Sequence, residues 1–255
     1  MDDFLIELRN VRFDVQDNTI VDDISLGFKE GKATALVGPS GGGKSTVLKL
    51  AAGLLVPSQG AVFYQGRDIA LFNRGENLNF RREAAVVFQD SALWANQTLY
   101  QTLELPLQIH YPKMNSRTRE ERIREVTRMV GYTRDLSVRP SQLSMGEQKL
   151  IGFARALLCR PNLLFLDEWT ESLDDDAGGR LVSLVKTLKE EGKTFIFITH
   201  DVSLVTSLAD YVIMITGGKV SMEMSGTQIN TNADMVNIIE EGMNLCDSEY
   251  AMLIR

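Results

Sequence analysis

Residues Gly38-Pro39-Ser40-Gly41-Gly42-Gly43-Lys44-Ser45 fill the pattern G-x-x-x-x-G-K-[ST] completely. Side chains of these types at this spacing suit phosphate binding. Gly38, Gly41, Gly42 and Gly43 let backbone N–H groups curl around an anion, Lys44 reaches the outer phosphates, and the Ser45 hydroxyl can ligate Mg2+. Ser40 and Thr46 fall in the same cradle. One close pair of unit charges is worth about 4 kcal/mol at an effective dielectric of 20, too little to hold a triphosphate. Several amides, a helix N-terminus and a divalent ion must therefore share that task.

Further along, Asp167 ends the apolar run LLFLDE, where a carboxylate can accept from the waters of a phosphate-bound Mg2+. Glu168 follows it and points elsewhere, which suits polarising a water for attack on a γ-phosphate. Alone, an Asp-Glu pair at a strand end is most simply a solvated terminus; downstream of a phosphate loop that reading is the weaker one. His200, in TFIFITHD, could donate to the γ-phosphate or hold the attacking water, although a lone histidine is usually structural. Gln89, after AAVVF, could ligate Mg2+ or the water, or be an ordinary loop residue. His110 has no such context. The turn Leu143-Ser144-Met145-Gly146-Glu147-Gln148 has no evident task in its own nucleotide site and reads as half of another molecule's.

These residues need elements to position them. Phe4 to Phe13 and Thr19 to Phe28 alternate around the polar break QDN, as a β-hairpin would. ATALVG is a strand feeding the glycine loop, and TVLKLAAGLL continues as a helix until Pro57 and Gly60 stop it. LLFLDE and TFIFITHD are uniformly apolar strands separated by a helix from Asp175 to about Glu191, the pattern of a parallel sheet covered on both faces. From Gln89 to Ser144 the pattern is helices and loops, which predicts an inserted helical subdomain. The run RTREERIRE, Arg117 to Glu125, is a solvated helix face with Ile123, Val126, Met129 and Val130 turned inward. Met235, Val236, Ile238, Ile239 and Met243 in the tail share helical spacing, and core packing is the simplest explanation.

With 255 residues and 44% hydrophobic content, the chain can bury one large α/β core or a core plus a subdomain. No apolar run approaches the ~20 residues of a membrane helix, and MDDFLIELRN lacks signal-peptide character, so a cytosolic chain is expected. A net charge of -7 disfavours broad attraction to nucleic acid or anionic lipid. Cys159 and Cys246 match no zinc or redox spacing and are expected to be reduced thiols.

In order, GPSGGGKST, VVFQD, LSMGEQ, LLFLDE, ESLDD and FITHD resemble the six landmarks of ATP-binding cassette (ABC) ATPases, from about Leu5 to Val220. The resemblance implies an α/β fold: a P-loop ATPase core with a mostly parallel sheet, an antiparallel β subdomain near the N-terminus and an inserted helical subdomain. The subregions expected are 1–88 with 161–225 for the core, 89–160 for the helical subdomain and 226–255 for a helical tail. It also implies ATP and Mg2+ as ligands and a head-to-tail homodimer. In that dimer Ser144, Gly146 and Gln148 meet the γ-phosphate held by Lys44 of the partner subunit, and Asp174 links the two sites. Met145 departs from the usual signature glycine, Trp169 from the usual proline, and Glu171-Ser172 from small residues; adenine stacking falls to Phe13 or Val15.

Within the family, FQDSALWANQTLYQTLELPL is similar to the ATPases of MCE/Mla-type phospholipid transporters. That similarity implies integral-membrane permease partners, an MCE-domain lipid-binding protein, and a peripheral position on the inner face of the inner membrane. Leu93, Trp94, Leu99 and Tyr111 are candidates for a permease groove or for the subdomain's own core. A regulatory ABC ATPase of cell-envelope or division machinery, or a transporter of another substrate, is the alternative. Nucleic-acid-acting ABC proteins usually carry two cassettes or a long coiled coil, which this chain lacks.

Overall fold

The computed structural model describes residues 4–231 and 233–244. The chain divides into two compact units, Met1–Asn77 with Thr194–Arg255, and Leu78–Lys193.

The first unit begins with the expected hairpin. β1 (Phe4–Val15) pairs antiparallel with β2 (Asn18–Lys29), turning at Gln16, whose φ is 54°. Ile6, Leu8, Val11, Val21, Ile24 and Phe28 are buried, and bulges along the ladder account for the uneven alternation. β4 (Gln59–Tyr64) and the short β5 (Arg67–Asp68) extend this antiparallel sheet in the order β2-β1-β4-β5.

A second sheet in the same unit centres on β3 (Ala33–Val37). It is parallel to both β8 (Thr194–Ile198) and β9 (Tyr211–Thr216), with β10 (Lys219–Ser225) antiparallel on β9. Every residue of β3 and β8 is buried, as strands covered on both faces require. Helix α1 (Lys44–Ala51) packs Val47, Leu48, Leu50 and Ala51 inward. It ends well before Pro57, because Gly53 adopts φ +62° while its N–H bonds the Leu50 carbonyl and that of Leu54 bonds Lys49. This paired closure satisfies the last carbonyls without further helix. α7 (Val202–Leu208), α8 (Gly226–Thr231) and α9 (Ala233–Asn244) complete the unit, with Ile239 and Met243 of α9 in its core.

The chain enters the second unit through α2 (Arg74–Glu83). There β6 (Ala84–Val87) lies parallel to β7 (Leu163–Asp167), with Val87 opposite Leu166. Helices α3 (Leu99–His110), α4 (Ser116–Met129) and α5 (Met145–Leu157) pack on one another, and α6 (Asp175–Glu190) follows β7. Thr98 and Gln101 cap α3 reciprocally, and Asn115 caps α4. The charged face of α4 is solvated and laced by Arg117–Glu121 and Arg124–Glu120 pairs. Its inner stripe differs from expectation at one place: Met129 is exposed, and Thr127 is buried instead, its hydroxyl donating to the Ile123 carbonyl at 3.0 Å. Leu99, expected as a possible groove residue, is fully buried in this packing, and the Tyr111 hydroxyl donates to the Cys159 carbonyl. Trp94 remains 48% exposed. Cys159 is a free thiol; Cys246 lies outside the described residues.

Candidate nucleotide site and signature turn

In the first unit the glycine loop joins β3 to α1. Gly38, Gly41 and Gly43 have φ of +132°, +86° and +100°. A Cβ on Gly38 would stand 2.1 Å from the Ile215 carbonyl oxygen, so both its conformation and its surroundings exclude a side chain. Gly42 is buried, Ser40 and Gly41 are exposed, and Ser45 and Thr46 lie half-buried in the first turn of α1. Gly43 caps that helix without a side-chain hydrogen bond. The Lys44 ammonium is buried and donates to the carbonyls of Gly38 at 2.8 Å and Pro39 at 2.7 Å. A glycine-enforced loop, a buried ammonium and a helix start without a side-chain cap fit the phosphates of a nucleotide. His200 was expected to close its strand, but β8 ends at Ile198 and His200 sits exposed in the bend beyond. Asp201 next to it caps α7 through the Ser203 N–H. Val15 is exposed at the hairpin end, with Phe13 half-buried.

In the second unit the parallel register of β6 and β7 delivers Gln89 and Glu168 to the same edge, each two residues past a paired position. Asp167 is buried at the end of β7, and Glu168 is half-buried with φ +46°. The Gln89 amide donates to the Glu171 carboxylate at 3.0 Å. Beyond Gln89, Ser91 and Ala92 also take positive φ, and Arg155 of α5 donates to both their carbonyls.

The signature turn starts α5. Ser144 caps the helix by accepting from the Glu147 N–H, and the Glu147 carboxylate accepts from the Ser144 N–H at 3.0 Å. That bond first, then Arg134 at 2.6 Å, holds the Glu147 carboxyl below its ordinary pKa. Met145 is 72% exposed. Gly146 is different: a Cβ there would stand 3.1 Å from the Ser172 carbonyl oxygen. Gln148 folds back, its amide donating to the carbonyls of Pro140 and Leu143. Asp174 caps α6 by accepting from the Ala177 N–H at 2.7 Å.

Sequence reasoning passed over Lys149, Arg155 and the bond from Gln89 to Glu171. Lys149 is buried and its ammonium donates to the Glu168 carbonyl at 2.6 Å. A lysine on the apolar face of α5 was the available signal.

The glycine loop between a buried parallel strand and a helix defines a P-loop nucleotide-binding protein. The sequence profile described as ABC transporter matches residues 21–171. The intermembrane phospholipid transport system ATP-binding protein MlaF of Haemophilus influenzae is 34% identical over 240 residues, covering 92% of this chain and 89% of that protein. The methionine import ATP-binding protein MetN of Cutibacterium acnes is 34% identical over 211 residues, covering 82% of this chain but 57% of that protein. Among solved structures, a dimeric post-hydrolysis state of the ATP-binding cassette MJ0796 bound to ADP and Pi superimposes with a TM-score of 0.80 at 29% identity, covering 86% of this chain and 98% of that one. The chain belongs to the ABC transporter family and is one of its ATP-hydrolysing cassettes, with ATP as nucleotide and Mg2+ as the accompanying ion. Cassettes of this family dimerise and pair with membrane permease subunits. Among the described residues, no helix is long and apolar enough to cross a membrane.

Proposed function

We propose that two copies of the chain close head to tail on ATP and drive a permease that moves phospholipid or another hydrophobic molecule across a bacterial envelope. The observation that carries the dimer is the signature turn: Ser144, Met145 and Gly146 open a capped helix, and the serine and methionine stand exposed. A helix start presenting a hydroxyl and close-approaching backbone is an anion site offered outward, to the γ-phosphate held by Lys44 of the partner subunit. Gln148 is engaged with its own turn, so Ser144 and Gly146 carry that contact unless Gln148 lets go. Asp174 lies in the loop that would link the two sites.

Within each copy, the loop from Gly38 to Thr46 holds the phosphates and Lys44 neutralises them. Ser45, Gln89 and Asp167 would hold Mg2+, which when bound offsets phosphate charge. Glu168 accepts the proton of the attacking water as its oxygen bonds the γ-phosphorus and the bond to ADP breaks, and His200 orients that water. Support for lipid as cargo comes from the MlaF relative, matched through most of its own length, and from the similar segment after Gln89. On this reading the protein sits on the inner face of the inner membrane through its permease, and an MCE-domain protein completes the system.

Glu168→Gln tests the cassette chemistry: hydrolysis should fall by about 10²–10⁴-fold while ATP drives a stable dimer in sedimentation velocity. Undiminished turnover would remove Glu168 from the base role. Co-purification tests the cargo. A multi-span permease with an MCE-domain protein supports lipid transport, whereas a cell-wall hydrolase supports a regulatory cassette.

A further inference from the structure

We infer that Lys149 is a positioning residue for hydrolysis: its buried ammonium, fixed on the Glu168 carbonyl, holds the backbone of the base in a conformation that residue would otherwise leave. The inference rests on Glu168 acting as the base.

Glu168 has φ +46°, a region disfavoured for a residue with a Cβ, which persists only where the surroundings over-determine it. Two side chains of α5 supply that constraint. Lys149 donates to the Glu168 carbonyl at 2.6 Å, and Phe153, one helical turn later on the same face, packs on the fully buried indole of Trp169 with ring centroids 5.8 Å apart. One helix face therefore grips two consecutive residues, the carbonyl of Glu168 and the side chain of Trp169.

Lys149 is 4% exposed, a costly place for a charged residue. Burial pulls its pKa down, and the carboxylates of Glu171, Glu168, Asp167 and Asp90 pull it up. A cation that served only as filler would be replaced by an apolar side chain at no loss; this one has a defined acceptor and four anions around it. The same helix also fixes the loop of Gln89, through Arg155 and through Gly152, where a Cβ would stand 3.3 Å from Ser91. Since α5 begins at the signature turn, movement of that turn reaches the base through Lys149.

The test uses the purified full chain. Lys149→Met should lower kcat by about 10²-fold, the scale of a sub-ångström to 1 Å misplacement of a reacting group, with KM for MgATP unchanged. Lys149→Arg, which can reach the same carbonyl, should restore most of the rate. Trp94→Phe leaves Trp169 as the sole tryptophan; in that background Lys149→Met should shift Trp169 emission to the red and Lys149→Arg should not. If Lys149→Met does not fold, Lys149→Gln carries the same expectations. Unchanged kcat in the neutral variant overturns the inference. So does a loss that is equal in the Arg and neutral variants and leaves Trp169 emission fixed, since that is a packing defect alone. A silent Lys149→Met beside an inactive Glu168→Gln refutes the positioning role only, whereas an active Glu168→Gln refutes the base.

Discussion

Gln89 gives its side-chain amide to the carboxylate of Glu171, and this 3.0 Å bond ties the loop after β6 to the loop after β7. Mg2+ ligation by Gln89 falls to the amide oxygen, and the bond made by the amide nitrogen sets the direction in which that oxygen points. A hydrogen bond of this kind contributes about 0.5–1.5 kcal/mol, which corresponds to about two- to tenfold in an equilibrium. Glu171→Ala should therefore raise the Mg2+ concentration for half-maximal hydrolysis by up to that factor. An unchanged Mg2+ titration would show that the bond does not orient Gln89 for the ion.

The two inner positions of the signature turn should respond oppositely to substitution. Met145 projects into solvent, so Met145→Gly should leave the thermal midpoint nearly unchanged and retain ATP-driven dimerisation. Gly146→Ala places a methyl 3.1 Å from the carbonyl of Ser172, itself at φ +65°, and should cost about 1–3 kcal/mol in a urea melt. A neutral Gly146→Ala would mean the Ser172 turn yields freely.

Trp169 is fully buried beside Phe153, yet its indole N–H has no acceptor among the described residues. Trp169→Ala should cost about 3–5 kcal/mol of stability. Trp169→Phe should cost clearly less, because it removes the unsatisfied donor along with part of the volume. Equal losses in chemical denaturation would refute that difference. Trp169→Pro should be worse than its size suggests, since the residue before a proline is driven toward extended backbone and Glu168 is left-handed.

Burial raises the Cys159 thiol from 9.0 to about 11. Its folded pKa lies above its unfolded one, so the stabilising difference is fully present below about pH 9 and is lost as the pH climbs toward 11. In a Cys246→Ser background, labelling of Cys159 at pH 8 should be slow in the native protein and fast in denaturant. Rapid native labelling would contradict the burial.

Much of this arrangement was legible because it is periodic or local. The alternation of β1 and β2, the uniform apolarity of β7 and β8, and the glycines of the phosphate loop each declare themselves within a few residues. The end of α1 was misjudged because a closure through Gly53 competes with propensity, and LAAGLL reads as helix in composition. The burial of Leu99 and exposure of Met129 depend on which sides of α3 and α4 meet, which one helix's spacing does not specify. Lys149 and Arg155 act on backbone carbonyls distant in sequence, and a carbonyl carries no residue-specific signal.

Lys44 gives two of its three N–H donors to the carbonyls of Gly38 and Pro39, so the phosphate loop holds its own cation in place. A flexible four-carbon side chain tethered in this way has less conformational freedom left to lose when a phosphate arrives.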